Sequence, residues 1–312
     1  MGNMKCDLHV HSLHSGMCTT PVLDRICRES YNDPIELCAH LKSKGMDLIT
    51  LTDHDSIGAA EVLLDREDFF ISEEVTCRMP SGTTVHIGVY DLTERQHVEI
   101  QRRRDDVVRL LAYLTERRLL FSVNHVFSSL TGRRDLADFS WFANYFPAME
   151  TRSGQMLPYH NRQAERFARR LGKVELGGSD SHAMASAGSA YTEVPGARDK
   201  EEFLLGVKAG KAVVRGENGN YFKLTADVLW IVGKMIQEDP WKALFGPLAV
   251  FLPLATFATM LDEMVFARRW AARLEREDLA QRAGRDDDFG GNAFRPRMSQ
   301  PMPQIEEVFA WR

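Results

Sequence analysis

A chain of 312 residues, 44% apolar and 27% charged, has enough material for one catalytic-sized domain with a packed core and a smaller appendage. A formal charge of −5 and a pI near 6.1 exclude a global electrostatic attraction for nucleic acid or an anionic membrane. Five cysteines, at 6, 18, 27, 38 and 77, show no paired metal spacing and read as reduced thiols; with no secretory signal before the first expected strand, the expected compartment is the cytoplasm.

In residues 4–11, Cys6, Leu8 and Val10 alternate with Asp7, His9 and His11, so a strand there turns both imidazoles the same way. Asp33-Pro34-Ile35-Glu36 combines a cap, a first-turn proline and a capping-box glutamate, and Gly45 stops the helix that follows. Leu48-Ile49-Thr50-Leu51 predicts a strand running into the loop Thr52-Asp53-His54-Asp55. Residues 85–90 and 119–124 read as short strands, the first carrying His86 and the second ending at His125. Helices are predicted where Val107, Leu110, Leu111 and Leu114, and then Ala164, Phe167, Ala168 and Leu171, recur at helical spacing. Val174-Glu175-Leu176 predicts a strand, followed by the turn formers Gly177-Gly178 and then Asp180 and His182. Strands alternating with helices predict a parallel sheet whose functional loops lie at the strands' carboxyl ends.

Gly216, Glu217, Asn218 and Gly219 break this pattern, dividing the chain into a main domain over 1–217, a helical extension over 218–283 and a polar, mobile tail over 284–312. Residues 243–261 contain no charge, and a helix of 19 residues would span about 28 Å against a hydrocarbon core of roughly 30 Å. Gly246, Pro247 and Pro253 oppose a straight helix, so a kinked, re-entrant or interfacial segment and a buried helix covering the main domain are equal alternatives. Arg268, Arg269, Arg273 and Arg276 form a basic flank that would stay on the cytoplasmic side of a membrane.

Eight residues read together as one metal site: His9, His11, His54, Glu74, His86, His125, Asp180 and His182. Any one histidine is usually structural, but two i, i+2 pairs and an acid before His54 set this group apart. Mixed His, Asp and Glu donors without thiolates suit Zn²⁺, Mn²⁺ or Fe²⁺. A bridging carboxylate allows two or three such ions within about 4 Å of one another, where they lower the pKa of bound water to about 7. Metal-assisted hydrolysis is the expected chemistry. For a phosphoester, guanidinium forks would grip the phosphate; Arg134 and Arg152 are the leading candidates, with Arg133 beside Arg134 and Arg78 just after the Glu74 motif as further ones.

Asp7-Leu8-His9-Val10-His11-Ser12, Leu51-Thr52-Asp53-His54-Asp55, Glu74-Val75-Thr76 and Gly178-Ser179-Asp180-Ser181-His182 resemble the motifs of the PHP family, the polymerase-associated and histidinol-phosphatase domains. The resemblance spans residues 4–217. It implies an α/β fold, a distorted seven-stranded β/α barrel, with Glu74, Asp180 and His182 at the catalytic centre. His9, His11, Glu74 and Asp180 would hold one ion, and Glu74, His86 and His125 a second, with Glu74 bridging and Glu73 its rival. His54 and His182 would hold a third; many relatives add an Asp or His where this chain has Gly16 and Met17, and His14 lies close but out of step. Asp53 and Asp55 would orient the histidines. The function implied is a metal-dependent phosphoesterase acting on a phosphomonoester, a nucleotide or a short oligonucleotide. The alternatives are a non-catalytic metal-binding module in a membrane-tethered assembly and a C–N bond hydrolase. Membrane association through 243–261 would place the protein at the cytoplasmic face.

Overall fold

The computed structural model describes residues 2–18 and 23–283. The tail expected over 284–312 lies outside the described residues. In chain order the elements are β1 (Asn3–Cys6), α1 (Pro34–Ser43), α2 (Ala60–Leu63), β2 (Ser72–Arg78), β3 (Thr84–Tyr90), α3 (Glu94–Gln101), α4 (Val107–Glu116), β4 (Leu120–Val123) and α5 (Leu136–Tyr145). Then come β5 (Ala148–Ser153), α6 (Pro158–Arg170), β6 (Val174–Gly178), β7 (Ala190–Pro195), α7 (Lys200–Lys208), β8 (Val213–Gly216), α8 (Tyr221–Glu238), a 3-10 run over Pro240–Phe251, and α9 (Leu252–Ala283).

The helix predicted after Asp33 begins at that cap, and two further helices carry caps that the sequence reading did not single out. The Asp33 carboxylate accepts from the Ile35 and Glu36 amides at the head of α1, and Asp106 does the same for Val108 and Arg109 at α4. Asp135 and Asp138 form a reciprocal capping box on α5. The buried faces of α4 (Leu110, Leu111, Leu114) and α6 (Ala164, Phe167, Ala168) are the ones the sequence spacing marks.

The sheets depart from the expectation. Hydrogen-bonded ladders draw a five-stranded sheet, β2-β3-β4-β5-β6, and a three-stranded sheet, β1-β7-β8, rather than one closed seven-stranded barrel. Only β4-β5 and β5-β6 are parallel. The β2-β3 pair is antiparallel because residues 79–83 form a tight turn, too short for the crossover that a parallel pair needs. The strands predicted over 4–11 and 48–51 are mostly irregular chain, and they and the loop at 52–55 join their neighbours by the isolated bridges Val10–Ser181, Ile49–Phe69 and His54–Glu74. Gly177 and Gly178 are not a turn but the end of β6. A Cβ on Gly178 would lie 2.3 Å from the His9 amide nitrogen, so glycine is what lets β6 and the His9 segment touch.

The main core joins β2, β3, β4 and their covering helices, with Phe121, Phe139, Phe142 and Phe146 fully buried. Ala267, Trp270, Ala271 and Leu274 of α9 belong to that same core, and the Trp270 ring lies 5.1 Å from Phe139. Among the described residues one segment, Pro240–Leu279, is long and apolar enough to cross a membrane by length and composition.

Candidate metal centre

Five of the eight predicted ligands, all imidazoles, converge on a sixth, Glu74, and Asp180 and His182 join the group through these rings. Its Oε2 lies 3.2 Å from His9 Nε2, 3.5 Å from His11 Nε2 and 3.3 Å from His54 Nδ1; its Oε1 lies 3.1 Å from His125 Nε2 and 3.5 Å from His86 Nδ1. Asp180 Oδ1 lies 3.4 Å from His9 Nε2 and 3.6 Å from His11 Nε2. Donors at about 2.1 Å from a common ion stand roughly 3.0–3.4 Å apart for 90–109° angles, so these separations fit shared coordination. His9, His11 and Glu74, His54, Glu74 and His86, His9, His125 and Asp180, and His11, His54 and His182 form four such clusters.

Burial supports the same reading. His9 Nε2, His11 Nε2, Glu74 Oε2, His86 Nδ1 and His182 Nε2 are buried polar atoms without a hydrogen-bond partner. Leaving so many donors and acceptors unmet in one place would cost folding heavily, whereas divalent ions would satisfy them together. Electrostatics agrees. Burial disfavours charge on His9, yet Glu74, Asp180 and Glu150 hold its pKa well above the usual range. Burial and the nearby His182 push His11 down to about 3, leaving the neutral imidazole that a ligand must be. Glu74 is buried, but His9, His86 and His54 keep its carboxyl well below its ordinary range. The concentrated negative charge is what a divalent cation would neutralise.

Period two along β2 decides between the neighbouring glutamates. Glu74 faces the imidazoles. Glu73 faces the other way, meeting His97 Nδ1 at 2.9 Å and Gln101 Nε2 at 2.7 Å on α3. His14 packs against Gly58, where a Cβ would come within 2.5 Å of its Nδ1, and it joins none of the clusters; His11 stands in the third group instead. Asp53 acts on His11 through Ser15, whose hydroxyl donates to Asp53 Oδ1 at 2.7 Å and lies 3.1 Å from His11 Nδ1. Asp55 orients no histidine: it accepts from the Thr76 amide and pairs with Arg104.

Three supporting groups escape the sequence reading. Glu150 Oε1 lies 2.7 Å from His9 Nδ1, and its Oε2 accepts from the His125 amide at 3.0 Å. This fixes which His9 nitrogen faces the cluster. Asn124 Nδ2 donates to Glu74 Oε1 at 2.8 Å. Asp7 accepts from the amides of His9, Ser179 and Gly188, tying the two ends of the site together. A lone glutamate inside the apolar strand Ala148-Met149-Glu150 is a signal for the first. Nothing local marks Asn124, and Asp7 opens the motif that carries His9 and His11, where the sequence reading assigns it no role. His125 and Asp180 adopt positive φ, 33° and 53°, a conformation costly to non-glycine residues that the surrounding hydrogen bonds impose.

Among the described contacts, Arg134 and Arg152 reach none of the eight ligands. Arg134 Nη1 donates to the Thr84 carbonyl at 2.8 Å, and Arg152 Nη1 to that of Gly216 at 2.9 Å. The side chains of His9, His11 and His125 are at most 3% exposed, but those of His54, His86 and His182 are 17–20% exposed, so the cluster opens on that side.

A family model described as PHP-associated matches residues 158–212, which include Asp180 and His182. No curated protein matches by sequence. Among solved structures, the chain is similar to PsfC from Pseudomonas syringae PB-5123 at a TM-score of 0.54 and 16% identity, over 74% of this chain and 98% of that one. It is similar to the lesion-specific endonuclease PfuEndoQ from Pyrococcus furiosus at 0.47 and 16%, over 68% and 58%. An amidohydrolase from Chromobacterium violaceum aligns at 0.41 and 15%, over 68% and 97%. At these identities the likeness to PsfC shows the fold.

Proposed function

We propose that this PHP-like chain, marked as such by its ordered motifs and its matched PHP-associated segment, is a metal-dependent phosphoesterase that hydrolyses a phosphomonoester, a nucleotide or a short oligonucleotide. The observation that carries the reading is the single carboxylate of Glu74 facing five imidazoles, two toward one oxygen and three toward the other. That is the arrangement of a bridge between ions. Divalent ions held there would acidify water and neutralise phosphate oxygens.

The chain's own groups do the rest. Glu74, Asp180 and the histidines keep the donors fixed, Glu150 and Asp53 orient two of the rings, and His54, His86 and His182 line the open side from which substrate must approach. Asp180 and His182, just past the end of β6, would act beside these open rings.

The test is hydrolysis by the full chain with Mn²⁺ or Zn²⁺ of phosphomonoesters and nucleotides, read as free phosphate, and of short oligonucleotides, read as released nucleotide, alongside His9→Ala and Glu74→Gln. Release that both substitutions abolish, with metal content falling in parallel, is expected. Two or more ions bound per chain with no release from any phosphoester would overturn the phosphoesterase reading in favour of a C–N bond hydrolase or a binding module.

A further inference from the structure

The run from Pro240 to Phe251 lies largely in water: of its twelve residues all but Lys242, Gly246 and Ala249 are exposed. Leu244 is 80% exposed and Val250 73%, extreme values for such side chains. The first turns of α9 continue the pattern with Leu254, Phe257 and Leu261. The outward positions 254, 255, 257, 258, 259 and 261 cover more than half of the helix circumference. A protein groove takes one apolar stripe, whereas a segment apolar on most sides suits lipid.

The segment is pinned to the same body at both ends. Before it, Glu238 pairs with Arg28 at 2.7 Å; after it, Glu263 accepts from the Ser129 amide at 2.9 Å and faces His160. With both flanks on one surface it would lie along a single leaflet rather than cross the bilayer.

Beside it, between α9 and the loop after His125, opens a pocket of about 640 Å³ lined by Arg133, Arg134, Arg269 and Arg273, with Phe266 and Trp270 behind them and Asp262 as its one acid. Arg134 is only 7% exposed, and its Nε and Nη2 have no partner. A buried guanidinium with part of its fork unmet is a built anion site, and three further arginines surround it.

We propose that the protein docks on the surface of an anionic bilayer, the apolar run 243–261 lying among the lipid headgroups and acyl ends and the arginine pocket taking a lipid phosphate. The attraction is local. The chain's overall negative charge opposes it, so binding requires the apolar run and the pocket together.

Co-sedimentation of the full chain with phosphatidylcholine vesicles, with and without phosphatidic acid, tests this. Sedimentation with the acidic vesicles is expected. Arg269→Ala with Arg273→Ala should weaken it roughly fivefold per arginine. Leu254→Asp with Phe257→Asp should abolish it. All four positions are exposed, so circular dichroism and the melting curve should stay those of the unsubstituted chain. A protein that stays in the supernatant, or sediments regardless of either pair of changes, would overturn the proposal. So would a dimer in light scattering that Leu254→Asp dissociates, which would assign the apolar face to a second copy. Calorimetric binding of inorganic phosphate without vesicle association would likewise overturn it, leaving the pocket to a soluble anion.

Discussion

Glu150 shows how far a single side chain governs the candidate centre. Its two oxygens hold His9 Nδ1 and the His125 amide at once. Glu150→Gln keeps the shape but removes the charge; we expect metal affinity, read by competition with a chelating dye, to fall about 10–100-fold with little change in melting temperature. Lys173, heading β6, gives a prediction in pH. Burial lowers its pKa from 10.5 to about 8. Between those values the unfolded chain binds more protons than the folded one, so this contribution makes stability rise with pH across that window. Lys173→Met should remove the rise and stabilise the fold at pH 7 by about 1–2 kcal/mol once solvent screening is allowed for, as urea titrations at pH 7 and 9.5 would show.

At the scale of elements, the helix capped by Asp33 and the amphipathic helices over 107–114 and 164–171 were legible because the residues that mark them lie within a few positions of one another, whereas the helix after Asp135 was not read. Asp33, Asp106 and Asp135 cap the helices they precede. The extended segments were less so. Residues 48–54 carry the apolar run of a strand but make only bridge contacts, since their partners, Lys5, Val10, Asp68 and Asp53's neighbour Glu74, come from other parts of the chain. Gly177-Gly178 reads as a turn because flexibility is the usual reason for glycine, and here the reason is close approach. Gly178→Ala would drive a methyl group into the His9 backbone. A loss of roughly 3 kcal/mol is expected, with bound metal measured by atomic emission falling as His9 is displaced. An unchanged metal content would show that β6 can shift away without cost to the site.

At the scale of the whole molecule, α9 is two things in one helix. Its first turns are exposed and apolar, and its later turns complete the main core through Ala267, Trp270, Ala271 and Leu274. A fragment ending at residue 217 would bare the face of Phe139 that Trp270 covers and lose the core residues Ala267, Ala271 and Leu274. Such a fragment should melt broadly or aggregate where the full chain melts cooperatively, and Trp270→Ala in the full chain should cost about 3–5 kcal/mol. A fragment as stable as the full chain would show that α9 is an addition rather than part of the core.

The sequence by itself determined the donors. His9 and His11 in step, His54 behind an acid and Asp180 with His182 mark a candidate metal site, because ligand chemistry depends on residue type and short spacing. It equally determined the helix start at Asp33 and the uncharged run at 243–261. Only the tertiary structure decided that Glu74 rather than Glu73 faces the imidazoles, that Glu150 and Asn124 brace the centre, and that Arg134 lies in a pocket under α9. Each of those is a matter of which strand face turns inward and what stands opposite it. Contacts between residues far apart in the chain are set by packing and by the satisfaction of buried polar groups, and no local pattern of residues contains them.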